Sequence, residues 1–320
     1  MDLVERVRAS CREVALRARY VSINSELLAG YARAVPLGEQ RTPTFDPEHH
    51  FRRVGDPAST VGYLLCLDSI NFGSGWFPKL TKQAGLSGYF TVSSALRDQF
   101  ERRPWTPEDL AELDPGQVAS VLGQQGNLDV ADLMVLFAQA LNDLGHWVGD
   151  RFDGSYLGVT AAAGHSAVRL VELLIEMPLF RDHDDYRSDQ GPIDVWFLKR
   201  AQLTAVDLAL ALDGSGPGRF DDLDRLTIFA DNLVPHVLRT DGLLAYDQAL
   251  ASRIQSGELI APGSPEEIEI RAASVHTVEL LVEHLDGAAT AAGLDFWLWN
   301  RGQQSRYREL PRHRCRTTSY

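Results

Sequence analysis

Residues 193–212 read IDVWFLKRAQLTAVDLALAL and form the longest apolar run in the chain. In an α-helix each residue advances about 100° around the axis, and the apolar residues recur at that spacing. We therefore predict a helix over 193–212, in which Lys199 shares one face with Val195, Leu203, Val206 and Leu210. A separate polar stripe holds Arg200, Thr204 and Asp207. An ammonium group in an apolar face either extends to the rim to reach water or needs an anionic partner or a bound ligand.

A second segment, residues 226–235 (LTIFADNLVP), places a carboxylate close to a proline. Helical spacing of apolar residues predicts a helix over 223–234. Pro235 interrupts this pattern, because proline has no N–H to give to the carbonyl of Asp231. Asp231 lies on the flank of the apolar stripe, about 120° from its centre, so periodicity alone does not bury it. The pattern fits a solvated aspartate as well as a carboxylate in a site.

Helical patterns extend along the rest of the chain, with helix-start signals such as those at Thr106 and Ser264. The alternation of residues 267–271 (EIEIR) is typical of a strand, but the signal at Ser264 favours the start of a helix. Polar breaks at 182–191 and 213–218 are predicted to be surface loops. We predict one all-α domain over residues 1–320, with two lobes facing a cleft and with the N-terminal helix and the C-terminal tail at its periphery. The predicted helices are 3–19, 59–67, 93–101, 106–112, 115–124, 130–151, 165–177, 193–212, 223–234, 243–256, 265–286 and 287–293.

The composition indicates a globular protein, since 44% of its 320 residues are hydrophobic. A net charge of −13 opposes binding to nucleic acid, whose affinity for proteins depends on Lys and Arg contacts to phosphates. Three widely spaced cysteines predict neither a disulfide framework nor a thiolate zinc site, which suits a reducing cytosol. The N-terminus lacks a signal-peptide pattern, and no charge-free run reaches transmembrane length. We expect a soluble cytoplasmic protein that acts on a small molecule and contacts no membrane.

Five ordered blocks resemble those of the queuosine salvage family, the queuosine 5′-phosphate N-glycosylases. The blocks are residues 67–78 (LDSINFGSGWFP), 197–202 (FLKRAQ), 226–235 (LTIFADNLVP), 267–271 (EIEIR) and 296–299 (FWLW). The resemblance covers about residues 45–300 and implies an all-α fold similar to the helix-hairpin-helix DNA glycosylases. It also implies cofactor-free hydrolysis of queuosine 5′-monophosphate to queuine, a 7-deazaguanine base, and ribose 5-phosphate.

The chain departs from the family pattern close to Asp231. It has Asn232 and Leu233 where the family commonly has tyrosine and arginine, and His236 where glutamine is usual. These departures leave Asp231 and Lys199 in place and bear on fine substrate preference.

Given this resemblance, Asp231 and Lys199 are the candidate catalytic residues. Cleavage of an N-glycosidic bond develops positive charge on the sugar, and a carboxylate beneath the anomeric carbon stabilises it, adds to it covalently or activates water. We predict that Lys199 binds the sugar phosphate. Pairing with Asp231, contact with the ribose, and nucleophilic attack by a neutral amine remain alternatives for Lys199.

Eight further residues are predicted to bind substrate, namely His49, Phe51, Asp68, Asn71, Phe72, Trp76, Glu269 and Arg271. Asp68 and Asn71 offer polar groups for the guanine-like edge of the base, or for the ammonium of the queuine side chain in the case of Asp68. An aromatic ring can stack on the base, and the glycines at 73 and 75 permit a tight turn that brings Trp76 beside Asn71.

The remaining four predictions rest on position relative to the family blocks. By analogy with the family, His49 and Phe51 are expected at the side of the pocket. Arg271 can hold a phosphate or form an internal ion pair. Glu269 does not share a helical face with Arg271, so the two residues are expected to support separate parts of the structure.

The strongest competing cluster is Asp-His-Asp-Asp at residues 182–185. Adjacent His and Asp ligate the metal of HD-type phosphohydrolases, so a metal-dependent nucleotide phosphohydrolase is the second enzyme hypothesis. Neighbouring residues on a helix cannot all point to one centre, and flanking arginines favour a solvated loop, so we predict no metal here. A non-catalytic, ligand-binding helical scaffold is a third hypothesis, but it leaves Lys199 and Asp231 unexplained.

Overall fold

The computed structural model describes residues 1–37 and 44–320 and is predominantly helical, as predicted. Its α-helices are α1 (Leu3–Arg17), α2 (Ser25–Ala34), α3 (Pro57–Ser69), α4 (Gly88–Arg102), α5 (Pro107–Ala111), α6 (Pro115–Val121), α7 (Ala131–Phe152), α8 (Tyr156–Ala163), α9 (Ala167–Leu174), α10 (Lys199–Ala211), α11 (Val234–Thr240), α12 (Gln248–Gln255), α13 (Pro265–His284), α14 (Ala291–Gly302) and α15 (Ser305–Arg308). Two antiparallel strand pairs complete it, β1 (Val21–Ile23) with β4 (Leu244–Tyr246) and β2 (His183–Ser188) with β3 (Gly191–Trp196).

Helix starts follow local capping signals in the sequence. Thr106 and Asp109 form a reciprocal capping box at α5. The hydroxyl of Ser264 accepts from the backbone N–H of Glu267 at 3.3 Å at the start of α13. Residues 267–271 are therefore helical, as the capping signal predicts. All five are buried, which explains why their hydrophobic pattern shows no clear amphipathic face.

The predicted helix over 193–212 is wrong in its first turn and a half, because α10 begins at Lys199. Residues 191–196 form β3 instead, where Ile193 and Val195 are buried and Asp194 points outward. Most of the predicted loop at 182–191 is β2 and the turn that joins it to β3. An apolar run that passes from a buried strand into a buried helix cannot be divided by periodicity alone.

The predicted helix over 223–234 is also wrong, because residues 226–232 are irregular. We call this stretch the Asp231 segment. Side chains from distant parts of the chain bond its backbone, and the three shortest of these bonds come from Gln202, Asp295 and Arg271. The N–H of Thr227 donates to Gln202 at 2.9 Å, that of Phe229 donates to Asp295 at 2.9 Å, and the carbonyl of Ala230 accepts from Arg271 at 3.0 Å. These side chains come from α10, α14 and α13, so tertiary contacts replace the helical hydrogen bonds. Pro235 lies at the start of α11 rather than interrupting a helix.

Other differences from the predicted helices are smaller. Of residues 243–256 only 248–255 are helical, since β4 precedes them, and the helix predicted at 287–293 is instead α14, from Ala291 to Gly302. Helices α2 and α8 were not predicted. Among the described residues, no helix is long and apolar enough to cross a membrane.

The segments predicted to be peripheral are packed into the structure. Helix α1 buries Val4, Val7, Cys11 and Val14 and packs on α13. The C-terminal segment, residues 310–320, is bonded to distant parts of the chain. Its Tyr320 carbonyl accepts from the N–H of Gly73 at 2.9 Å, and its Arg314 carbonyl accepts from the N–H of Ile260 at 2.8 Å. The C-terminal segment is therefore an integral part of the fold, because its backbone is hydrogen-bonded to distant residues and its Tyr320 ring is buried.

Candidate active site

A cavity of about 740 Å³ lies between α4, α10, α14, the Asp231 segment and the C-terminal segment. Its volume is within the range that holds a drug-sized or nucleotide-sized ligand. Much of its wall is aromatic, from Phe45, Phe72, Phe77, Tyr89, Phe90, Phe229, Phe296, Trp297, Trp299, Tyr307 and Tyr320. The wall is suited to a flat, partly apolar ligand, because aromatic faces stack on planar rings.

Lys199 is the first residue of α10 and lines the cavity. Its side chain is 6% exposed, and Nζ donates to the carbonyl of Asn71 at 3.2 Å, so the ammonium does not extend to the rim. Burial lowers the pKa of Lys199, and the charges of Asp231 and Asp68 oppose that shift. The site therefore holds the ammonium beside two carboxyl groups.

Asp231 is half-buried at the cavity wall, immediately before α11. Its Oδ1 accepts from the backbone N–H groups of Leu233 at 2.7 Å and Val234 at 3.0 Å. Two backbone amides thus fix the carboxylate, and the positive charge of Lys199 is close enough to attract it. Sequence reasoning paired these residues through resemblance, and the fold brings them to one cavity.

Two carboxyl groups lie together at the floor of the cavity. Asp207 lines the cavity, whereas Asp68, which we predicted to bind substrate, lies behind Asp207 and does not line it. Asp68 is fully buried, and its Oδ2 has no hydrogen-bond donor among the residues that the structure describes. Asp207 lies two turns after Lys199 on α10. Burial raises the pKa of Asp68 to about 7, against the charge of Lys199. Burial, and then the charge of Asp68, raise the pKa of Asp207 well above its usual range. The pair therefore holds a proton near neutral pH.

Asp295 and Arg312 also line the cavity, and sequence reasoning missed both. Asp295 is 5% exposed, and burial, followed by the charge of Asp231, raises its pKa well above the usual range. Burial lowers the pKa of Arg312, and the charge of Asp231 opposes this. The available signals were weak, since Asp295 merely precedes the FWLW block and Arg312 belongs to a basic run at residues 306–316.

Asn71 and Phe72 line the cavity, whereas Phe51, His49 and Trp76 do not. Phe51 packs on Tyr63, with 5.8 Å between ring centroids. His49 bonds the Asp46 carboxylate at 2.8 Å, and Trp76 Nε1 donates to Asp132 at 2.9 Å. Nearby in the chain, Asp46, His50 and Ser74 line the cavity instead.

Glu269 and Arg271 are fully buried and lie away from the cavity. The Glu269 carboxylate accepts from the backbone N–H groups of residues 19–21 at 2.6–3.1 Å and from the Tyr186 hydroxyl at 2.8 Å. Arg271 donates to both oxygens of Asp182 at 2.9 and 2.7 Å. Arg271 therefore forms an internal ion pair and is not placed to hold a phosphate. Glu269 and Arg271 stabilise different parts of the chain.

The Asp182–Asp185 cluster is not a solvated loop. Asp182 is buried in its ion pair with Arg271, while His183 stacks on Trp196 with 4.5 Å between ring centroids. Along β2 successive side chains point to opposite faces, so the cluster does not converge. Within residues 1–37 and 44–320, no group of three or more His, Cys, Asp or Glu side chains is placed to hold a metal ion.

The fold and the cavity thus define a helical protein with a small-molecule site, in which a lysine and several carboxyl groups surround an aromatic pocket. Comparison with known sequences gives the family. The chain belongs to the queuosine salvage protein family, whose sequence model matches residues 49–320.

Individual relatives are similar over nearly their whole length. The chain is 36% identical to a queuosine 5′-phosphate N-glycosylase/hydrolase of Sphaerobacter thermophilus, over 98% of this chain and 97% of that protein. Proteins of the same name from Mus musculus and Schizosaccharomyces pombe are 28% and 26% identical, over 98% and 90% of both chains respectively. The resemblance of the five sequence blocks is thereby confirmed.

Proposed function

We propose that this protein is an N-glycosylase that hydrolyses queuosine 5′-phosphate to queuine and ribose 5-phosphate. The observation that carries the proposal is the placement of Asp231 and Lys199, both from family blocks, at one aromatic cavity. The names of near-full-length relatives support the choice of substrate.

Asp231 is proposed to act on the sugar. As the bond to the base breaks, positive charge develops on the ribose, and a carboxylate held in place stabilises it by covalent addition or by activating water. The amides of Leu233 and Val234 hold the carboxylate without help from substrate. Lys199 is proposed to orient the Asp231 carboxylate and the ribose.

The floor of the cavity is proposed to bind the base. A 7-deazapurine has no N7 to protonate, so the departing charge must be stabilised through other edges. Asp207 faces the cavity and shares a proton with Asp68 behind it, so the pair can offer either a donor or an acceptor. Asn71 contributes an amide, and Phe72 is one of the rings available for stacking.

The 5′-phosphate is proposed to lie near Arg312. Exposure supports this position, because Arg312 is partly exposed, whereas Lys199 is buried and Arg271 is fully buried in the core. Arg308 and Arg314 also line the cavity and add positive charge. His49, Phe51, Trp76 and Glu269 are proposed to support the wall from behind.

At the scale of the chain, we propose a single two-lobed domain similar to the helix-hairpin-helix DNA glycosylases. We further propose that it acts in the cytoplasm, without a cofactor, on the free nucleotide rather than on a nucleic-acid polymer. The acidic net charge of −13 supports the last point.

The proposal is tested by incubating the protein with queuosine 5′-phosphate, queuosine and guanosine monophosphate and measuring the free bases by mass spectrometry. We expect queuine from queuosine 5′-phosphate, with ribose 5-phosphate as the second product. Guanosine monophosphate is the matched control, because it has the same sugar phosphate and an ordinary purine. Absence of queuine from both queuosine substrates would refute the proposed activity.

A further inference from the structure

The start of α10 depends on Asp182, a residue 17 positions earlier in the chain. Leu198, which precedes the helix, has a left-handed backbone with φ of 56° and offers no side-chain cap. The Asp182 carboxylate supplies the missing acceptor, since its Oδ2 bonds the backbone N–H of Lys199 at 3.0 Å. The Asp182 carbonyl also accepts from the N–H of Phe197 at 3.0 Å. Asp182 therefore fixes the backbone from which the Lys199 side chain extends.

The backbone before Asp231 depends on Arg271. Nε of Arg271 donates to the carbonyl of Ala230 at 3.0 Å, one residue before the carboxylate. The guanidinium also lies 3.8 Å from the centroid of the Phe197 ring, at the junction of β3 with α10. Arg271 is fully buried, so water cannot replace these contacts.

The same two residues bind each other. Both terminal nitrogens of Arg271 donate to Asp182, one to each carboxylate oxygen, at 2.9 and 2.7 Å. An unbroken set of hydrogen bonds thus runs from the N–H of Lys199 through Asp182 and Arg271 to the carbonyl of Ala230. We call this set the Asp182–Arg271 bracket. A planar, bidentate pair of this kind fixes orientation as well as distance.

We propose that Asp182 and Arg271 are positioning residues for the reaction, and that their bracket sets Lys199 and Asp231 relative to each other. This inference rests on the proposed function. Lys199 begins a helix and Asp231 lies in an irregular segment, so no shared element of secondary structure holds them together. A displacement of about 1 Å in a catalytic group can cost about 10²-fold in rate, which is the kind of error that the bracket prevents.

The test separates positioning from stability. A buried ion pair can often be replaced by apolar residues of similar volume without loss of stability, whereas removing one partner is strongly destabilising. The main variant is therefore the double change Asp182→Leu with Arg271→Met. Arg271→Lys is the second variant, because it keeps the charge but cannot bond Asp182 twice and Ala230 at once. Glu266→Gln is the matched control, because Glu266 lies on α13 like Arg271 and its ion pair with Arg253 is outside the cavity and touches neither segment.

We expect both bracket variants to lose about 10²-fold in kcat on queuosine 5′-phosphate, with KM changed less than about threefold, because a misplaced group acts in the transition state. The control should keep kcat even if its Tm falls. Wild-type kcat in either folded bracket variant would overturn the proposal, whatever the Tm of that variant. If the double variant does not fold, Arg271→Lys decides by the same criteria.

Hydrogen–deuterium exchange of peptides covering residues 197–204 and 226–233 provides a readout that does not need activity. The bracket variants should exchange faster in both peptides, and Glu266→Gln should do so in neither. If the wild-type protein proves inactive, this result still decides whether the bracket holds the two segments. Unchanged exchange in either peptide would reject the bracket while leaving the proposed function to its own assay.

Discussion

The ammonium of Lys199 is bonded to the Asn71 carbonyl and lies beside Asp231 and Asp68, so it should influence any substrate that fills the cavity. We predict that Lys199→Met lowers kcat by about 10²-fold for both queuosine 5′-phosphate and queuosine, because the lost charge acts near the sugar rather than the phosphate. Steady-state kinetics with the two substrates provide the measurement. A rise in KM confined to the phosphorylated substrate would instead make Lys199 the phosphate ligand.

The buried carboxyl of Asp68 predicts a pH dependence of stability. Its pKa is raised from 3.8 to about 7 in the folded protein, so between these values the folded state holds a proton that the unfolded state has lost. Stability from this group therefore falls as the pH rises from about 4 to about 7. Asp68→Asn removes this dependence and should raise Tm by a few degrees at pH 8, with little change at pH 5.

Thermal unfolding at the two pH values measures this effect. Asp129→Asn is a suitable control, because it removes an exposed carboxylate and should not produce the same difference between pH 5 and pH 8. An equal change in Tm at both pH values for Asp68→Asn would show that Asp68 is ionised throughout.

At the scale of single residues, the sequence blocks predicted Lys199, Asp231, Asn71 and Phe72 as site residues, and all four line the cavity. Asp295 could not be found in this way. The position of Asp295 depends on the packing of α14 against the Asp231 segment. There the Asp295 carboxylate accepts a hydrogen bond from the backbone N–H of Phe229. Contacts between residues 66 positions apart leave no periodic signal in one sequence.

Among the structural elements, the helical class was predictable from spacing and capping, whereas the two elements that carry the catalytic candidates were misplaced. The run at 193–212 divides at Leu198, whose left-handed backbone is held by tertiary contacts rather than by a glycine. Residues 226–232 have helical spacing, but side chains from other helices, among them α10, α13 and α14, bind their backbone. Irregular backbone at a site is imposed from outside the segment, so propensity and periodicity do not reveal it.

The C-terminal segment is the element to which we assign phosphate binding. We predict that Arg312→Gln raises KM for queuosine 5′-phosphate by at least about tenfold and changes KM for queuosine little, because a charged hydrogen bond to phosphate is lost. Arg316→Gln is the matched control, since it removes a charge from the same segment outside the cavity. An equal effect of Arg312→Gln on both substrates would place Arg312 at the sugar or base instead.

At the scale of the whole molecule, the net charge of −13 bears on what the cavity can receive. We predict no submicromolar binding to duplex DNA or intact tRNA near physiological salt, because nucleic-acid affinity comes chiefly from cationic contacts to phosphates. Fluorescence anisotropy with labelled polymers at two salt concentrations provides the measurement. Tight binding that weakens steeply with salt would contradict the proposal of a free nucleotide substrate.

The whole molecule also explains why the tail was mispredicted. Residues 310–320 lack helical spacing, so the sequence favoured a peripheral tail, yet Tyr320 and Arg312 reach the cavity. The close approach is possible because Gly75 has no side chain, since a Cβ there would lie 2.3 Å from the Cys315 carbonyl oxygen. Such long-range packing becomes visible only in three dimensions.

In the proposed reaction, turnover depends on the negative charge of Asp231 at the sugar. Asp231→Asn keeps the shape of the side chain and an oxygen that can accept from the amides of Leu233 and Val234, but it removes the charge. We predict that kcat for queuosine 5′-phosphate falls by at least about 10³-fold, while Tm and the affinity for queuine stay close to wild type. Near-normal kcat in a folded Asp231→Asn protein that still binds queuine would contradict the account.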